Sequence, residues 1–179
     1  QPDWVWLKSR SSSGSHYFYD VARGDNLTLQ SNSTAAEANV TTDFTGGGVG
    51  SQASDGFTIV AGTSNTDNVN TNSTTYLSWN WLAGGTASSN SDGSITSSVS
   101  ASTTAGFSIV SYTGNATAGA TVGHGLGSVP KMIIQKNRSV VENWATYHAS
   151  LGNANNLLLN GTNASVSTSD YNSTSPTSS

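Results

Sequence analysis

Short runs of β-branched and aromatic residues alternate with clusters of Gly, Ser, Asn and Thr, and no stretch sustains a helical period of apolar positions. That pattern predicts an all-β fold. Two runs, Trp4-Val5-Trp6-Leu7 and Met132-Ile133-Ile134, are apolar without alternation, as strands covered on both faces are, so both are expected to be central strands. Further strands are expected over 16–21, 26–29, 56–61, 76–81 and 106–112. Alternation in the 76–81 run puts Leu77, Trp79 and Trp81 on one face, expected to belong to a core, and Tyr76, Ser78 and Asn80 on the other. Residues 85–105 are rich in Ser, Thr and Gly and are broken by Asp92-Gly93, a hairpin turn signal, so they read as a linker or an exposed hairpin.

The opening stretch is written again near the end. With an offset of about 128 residues, 1–51 aligns with 129–179 without a gap, pairing Pro2 with Pro130, Lys8 with Lys136, Arg10 with Arg138, Tyr19 with Tyr147, Gly24 with Gly152, Leu29 with Leu157 and Asn32 with Asn160. A repeat of this length is a small domain rather than a solenoid turn. The organisation expected is one and a half β-sandwich or jelly-roll modules of lectin-like type, with a first module over 1–84, the linker or hairpin over 85–105, and a second module over 106–179. The 106–112 strand resembles 56–61 in carrying Gly-Phe before Ile-Val. If the chain opens inside a module, complete modules form only in a longer chain or an oligomer.

Composition narrows the function. Charged residues make up 9% of the chain, yet five Trp, six Tyr and four Phe set in apolar runs provide the burial that disordered segments lack. The net charge is −4, and the six basic residues fall within 8–23 and 131–138, so the basic surface that nucleic-acid binding needs is missing. No apolar run is long enough for a membrane span, and without Cys there is no disulfide or thiolate metal site.

Candidate chemistry is sparse. His16, His124 and His148 lack the spacing that makes metal ligands converge; flanking glycines suggest that the His124 ring bonds a backbone group in a turn. No nucleophile elbow occurs, and the ten carboxylates are scattered, so no catalytic residue, metal or cofactor is proposed. The Asn-rich run that opens at Asp67 comes nearest to a calcium loop but lacks its Gly and terminal Glu, and reads as a surface loop. Arg23-Gly24-Asp25 aligns with Leu151-Gly152-Asn153 in the second copy, so the fixed element is a turn glycine rather than an integrin motif. Nine Asn-x-Ser/Thr sequons occur, a number that the Asn, Ser and Thr content largely explains. Tyr17 and Tyr19, with Phe18 on the other face, could stack a sugar, but a strand aromatic on both faces reads as core.

One resemblance covers nearly the whole chain. Residues 106–115 (Gly-Phe-Ser-Ile-Val-Ser-Tyr-Thr-Gly-Asn), the turn Gly123-His124-Gly125-Leu126-Gly127, the strand Pro130-Lys131-Met132-Ile133-Ile134 and the run 147–152 look like a module repeated in structural proteins of marine bacteriophages, especially those of cyanobacteria. The first half resembles it through Pro2-Asp3, Trp6, Lys8, Arg10, Asp20, Arg23-Gly24, 33–37, Asp55-Gly56-Phe57 and 79–85. That resemblance implies a non-enzymatic, extracellular virion component, a tail fibre or tail-associated part. It would self-associate, meet other virion proteins and present loops to a host surface glycan. The alternatives are a lectin-like carbohydrate-binding module, a secreted cell-surface filament protein and, as an enzyme, a polysaccharide depolymerase with a carboxylate pair.

Overall fold

A computed structural model describes residues 1–43, 46–60, 62, 69–171 and 174–179, and every helix or strand among them is a β-strand. β1 (Trp4–Ser9), β2 (His16–Asp20), β3 (Leu27–Gln30) and β4 (Ala38–Asn39) form an antiparallel meander. β5 (Gly48–Ala53) and β6 (Gly56–Val60) form a hairpin, and β7 (Tyr76–Trp81) returns to the free side of β1, giving the sheet order β4-β3-β2-β1-β7. β1 is therefore central, as its unbroken apolar run predicts. β8 (Ser88–Asn90), β9 (Ser97–Ser102) and β10 (Phe107–Tyr112) make a three-stranded sheet. β11 (Met132–Gln135), β12 (Ala145–His148), β13 (Asn155–Leu158) and β14 (Val166–Ser167) make the last meander.

The pleat of β1 sorts its side chains. Val5 and Leu7 point inward with Tyr17 and Tyr19, and pack with Val40, Val69 and, from the hairpin, Val49, Phe57 and Val60. Sheet and hairpin together make a sandwich-like pair of layers. Burying these side chains contributes roughly 1.5–3 kcal/mol for each large one, which sets this face as the main core. Tyr17, Phe18 and Tyr19 are all buried, so the core reading of that strand holds and none of the three is open to a sugar.

The sequence repeat is a structural repeat, bond for bond. Trp4 faces Asp20 and Met132 faces His148; Phe18 faces Leu29 and Thr146 faces Leu157; Leu27 faces Asn39 and Asn155 faces Ser167. Since a slip of one residue would move every side chain to the other face, equal register in all three pairings marks one inherited design. The residues identical in both copies hold it. Asn32 accepts from His16 N at 2.9 Å, and Asn160 from Trp144 N at 2.8 Å. The Lys8 ammonium donates to the carbonyls of Ser9 and Ser12 at 2.6 and 3.2 Å; that of Lys136 donates to Asn137 and Val140 at 2.6 and 3.1 Å. Gly24 and Gly152 both turn with positive φ, +96° and +73°, where a Cβ is disfavoured.

Three expectations are corrected. β11 is an edge strand among the described residues, not a central one: it has β12 on one side and no counterpart of β7 on the other. On β7 the inward face carries Tyr76, which packs on the core, whereas Leu77 and Trp79 are exposed. The reason is register: Trp79 lies opposite Trp6 and Trp81 opposite Trp4, on the outer side of β1, while Ser78 and Asn80 oppose Leu7 and Val5. The 85–105 segment is a hairpin turning at Asp92-Gly93, but β9 also pairs with β10 along its length, so the boundary expected before residue 106 falls inside a ladder. Ser97, Val99 and Ser100 on β9 are buried.

A buried carboxylate ties this hairpin sheet to the first meander. Asp3 is fully buried, and its Oδ2 accepts from Ala83 N at 2.7 Å and Gly85 N at 3.0 Å; Gly84 N in turn donates to the Ser100 hydroxyl at 3.0 Å. An acceptor with two backbone donors satisfies groups that would each cost about 1–3 kcal/mol if left bare.

Candidate functional site

The outer face of the five-stranded sheet is an aromatic surface on which the later half of the chain docks. Trp4 and Trp6 from β1, Phe18 from β2, and Trp79 and Trp81 from β7 meet there with ring centroids 4.5–6.4 Å apart, largely tilted or edge-on, as ring quadrupoles prefer. Phe107 from β10 covers Trp4 at 5.6 Å and Trp81 at 6.4 Å. Trp144, just ahead of β12, meets Phe18 edge-to-face at 5.5 Å beside Leu29 and is 4% exposed. Its indole N–H donates to the carbonyls of Gln30 at 2.9 Å and Ser33 at 3.1 Å, so the second repeat inserts a satisfied anchor into the first.

A polar clamp lies beside this anchor. Arg23, only 6% exposed in its side chain, contacts the Asp20 carboxylate, reaches Glu37 at 3.1 Å and donates to the Phe18 carbonyl at 2.8 Å. Arg138 approaches the same Glu37 bidentately, Nε at 3.0 Å and Nη2 at 2.7 Å, and also donates to the Ser111 hydroxyl at 2.8 Å. Two guanidinium groups and two carboxylates leave the cluster neutral, and its planar pairing is the geometry in which a desolvated charge keeps its partners. Main-chain bonds from Glu37 N to Arg138 O and from Glu142 N to Thr34 O, both 2.9 Å, fix the approach. Arg138 has a counterpart in Arg10, but that residue's main-chain N donates to Thr75 O at the entry to β7. The copies differ where one docks upon the other.

A family model covers residues 1–179, which is both repeats and everything between them. The chain belongs to DUF7483, a domain of unknown function. No curated protein and no solved structure matches it. The DUF7483 chain thus carries no activity over from a relative, and its own geometry has to speak for it.

The three histidines stand apart. His16 Nδ1 accepts from the Trp6 indole at 3.2 Å, and burial, with the Lys8 charge nearby, holds its pKa below the ordinary value. In the glycine turn, His124 Nδ1 accepts from Leu126 N at 3.1 Å and Nε2 lies 3.1 Å from Thr177 O, the backbone bonding that its flanking glycines suggest. His148 Nδ1 accepts from Ser150 N. Among the described residues no three His, Asp or Glu side chains gather as metal ligands. Asp67 lies outside the described residues, as does the sequon residue Asn172. Arg23 of the Arg-Gly-Asp tripeptide is locked in the clamp, where no receptor reaches it.

An open cleft of about 560 Å³ lies beside the start of β1, lined by Asp55, Phe57, Asn80, Trp81 and Leu82 among others; Asp55 is the one carboxylate among its described lining residues. A glycosidase needs two facing carboxyl groups, which this cleft does not bring together. No helix of the described residues is long and apolar enough to cross a membrane. Lys8 and Lys136, a pair shared by the repeats, are spent on loop carbonyls, and Arg23 and Arg138 on the clamp, so these four basic residues serve the architecture. The clamp itself was not legible in the sequence, because Glu37 is about 101 residues from Arg138 and no spacing rule links them.

Proposed function

We propose that the chain is a non-enzymatic structural and adhesive component of a bacteriophage virion, a fibre or tail-associated part that works in a homo-oligomer and presents its loops to a host surface. The observation that carries this reading is the docking of one meander on another of the same register, through the buried Trp144 and the Arg138–Glu37 clamp. Stacked like modules resist load and set the spacing of loops, and affinity for a surface then rises through multivalency rather than through one deep pocket. The resemblance of its motif order to marine phage structural proteins supports the virion as the place where this happens. Mass spectrometry of purified particles of the source virus, with antibody labelling in electron micrographs, tests it. The protein is expected in the particle at fixed stoichiometry on an appendage; its presence only in lysate, or in the matrix of uninfected cells, would overturn the assignment.

A second reading, a lectin-like carbohydrate-binding module, is favoured by Trp79, which is 41% exposed beside Leu77 on the outer sheet face. Indole faces of this kind stack sugar rings. A glycan array with Trp79→Ala separates the two: tight monovalent binding lost in the variant favours the lectin.

A further inference from the structure

The two repeats differ at one sheet edge. In the first, β7 pairs antiparallel with β1; in the second, β11 occupies the place of β1 and has no neighbour there among the described residues. Main-chain direction follows from the bonds at the strand ends. Arg10 N donates to Thr75 O, so the even-numbered residues of β1 turn their N–H and C=O toward β7. Val21 N donates to Asp3 O on the β2 side, and Ala149 N donates to Lys131 O in the same way, so the parity is preserved in the second repeat. Met132 and Ile134 therefore direct their main-chain groups away from β12, and their side chains are 51% and 38% exposed. Trp4 and Trp6, their counterparts, lie against Trp81 and Trp79 of β7.

We infer that the outer edge of β11 is a docking site for a strand of β7 chemistry, alternating large apolar with small polar side chains, from another repeat of this kind. It would add antiparallel, its equivalent of Trp81 opposite Met132 and of Trp79 opposite Ile134, completing the sheet as β7 completes the first one. Charge argues against two β11 edges pairing with each other, since Lys131 and Lys136 bracket the edge as edge lysines do to block self-pairing, while β7 carries no charged residue. This deepens the modular reading proposed above and names the partner that a next module presents.

The test is a labelled peptide of residues 74–83 titrated onto the full chain, with a scrambled peptide as control. Saturable binding is expected, with slowed amide exchange at Met132 and Ile134. Ile134→Pro removes an outward N–H while sparing the β12 ladder, as proline on an edge strand does, and should weaken binding at least tenfold with protection at Thr146 and Tyr147 unchanged. Met132→Lys, which leaves the backbone free to pair, should weaken it by a similar factor and covers the case in which the proline variant fails to fold. Equal binding of both peptides, binding unaffected in both variants, or dimers of the chain that pair one β11 edge with another would overturn the inference. Those failures leave the virion assignment standing, because particle composition reads it separately.

Discussion

Removing Trp144 should uncouple the two repeats. The side chain is 4% exposed, packs edge-to-face on Phe18 and satisfies two carbonyls of the first meander. A buried Trp→Ala change costs about 3–5 kcal/mol through lost burial and the cavity left behind. Losing the donor to Gln30 O and Ser33 O adds about 1 kcal/mol, and partial relaxation of the pocket takes some back. The expected loss is about 4 kcal/mol for Trp144→Ala. Trp144→Phe keeps most of the ring contact with Phe18 and loses chiefly the N–H, so about 1–2 kcal/mol is expected. Urea unfolding followed by circular dichroism measures both. Since most of the bond between repeats passes through this anchor and the clamp, the Ala variant should also split one transition into two, the second meander melting first. Both variants within about 0.5 kcal/mol of the parent, in a single unshifted transition, would refute the docking account.

Other perturbations follow from the same geometry. A double-mutant cycle between Glu37→Gln and Arg138→Gln should give a coupling of about 1 kcal/mol by chemical denaturation, and additivity would show the clamp to be idle. Gly48→Ala should destabilise by about 1–3 kcal/mol, because the new Cβ would collide with Val40 Cγ1 and meet the Tyr19 hydroxyl at 2.7 Å; a neutral melting temperature would contradict that packing. Burial pushes the Tyr17 phenol up to about 12, with the neighbouring Tyr19 adding to it, and raises Tyr19 chiefly by burial. The phenols thus stay protonated in the fold after their unfolded counterparts ionise near pH 10, so stability should fall from about pH 10 to 12, with the phenolate signal of these two tyrosines rising only as the chain unfolds. His16 titrates below its unfolded value, so its share of stability is present above about pH 6.5 and is lost as pH falls toward the folded value; His16→Asn should flatten that slope, and an unchanged slope would contradict the effect of burial and of the Lys8 charge on this ring.

Much of the fold was legible because local chemistry and topology agree. The short β-branched runs became strands, Asp92-Gly93 became a hairpin turn, and the repeated Lys, Asn and Gly proved to be the residues that hold loop carbonyls, strand ends and turns. Other features lay beyond it. Alternation in β7 tells which residues share a face but not which face is covered, and here the larger side chains lie outside because the register against β1 matches Trp with Trp. The apolar run at β11 reads as central, yet burial depends on a neighbouring strand that no local pattern specifies. Trp144 and Glu37 showed no signal of their own: each gains its role from a partner more than a hundred residues away.

The central claim is that two meanders share one register and meet through Trp144. Nuclear Overhauser contacts between backbone protons test it directly. The account predicts cross-strand contacts of Trp6 with Phe18 and of Ile134 with Thr146, and of the Trp144 indole with the Phe18 ring. Ile134 opposite Ala145 or Tyr147, a slip of one residue, or a Trp144 ring with no contact to the first meander, would contradict it.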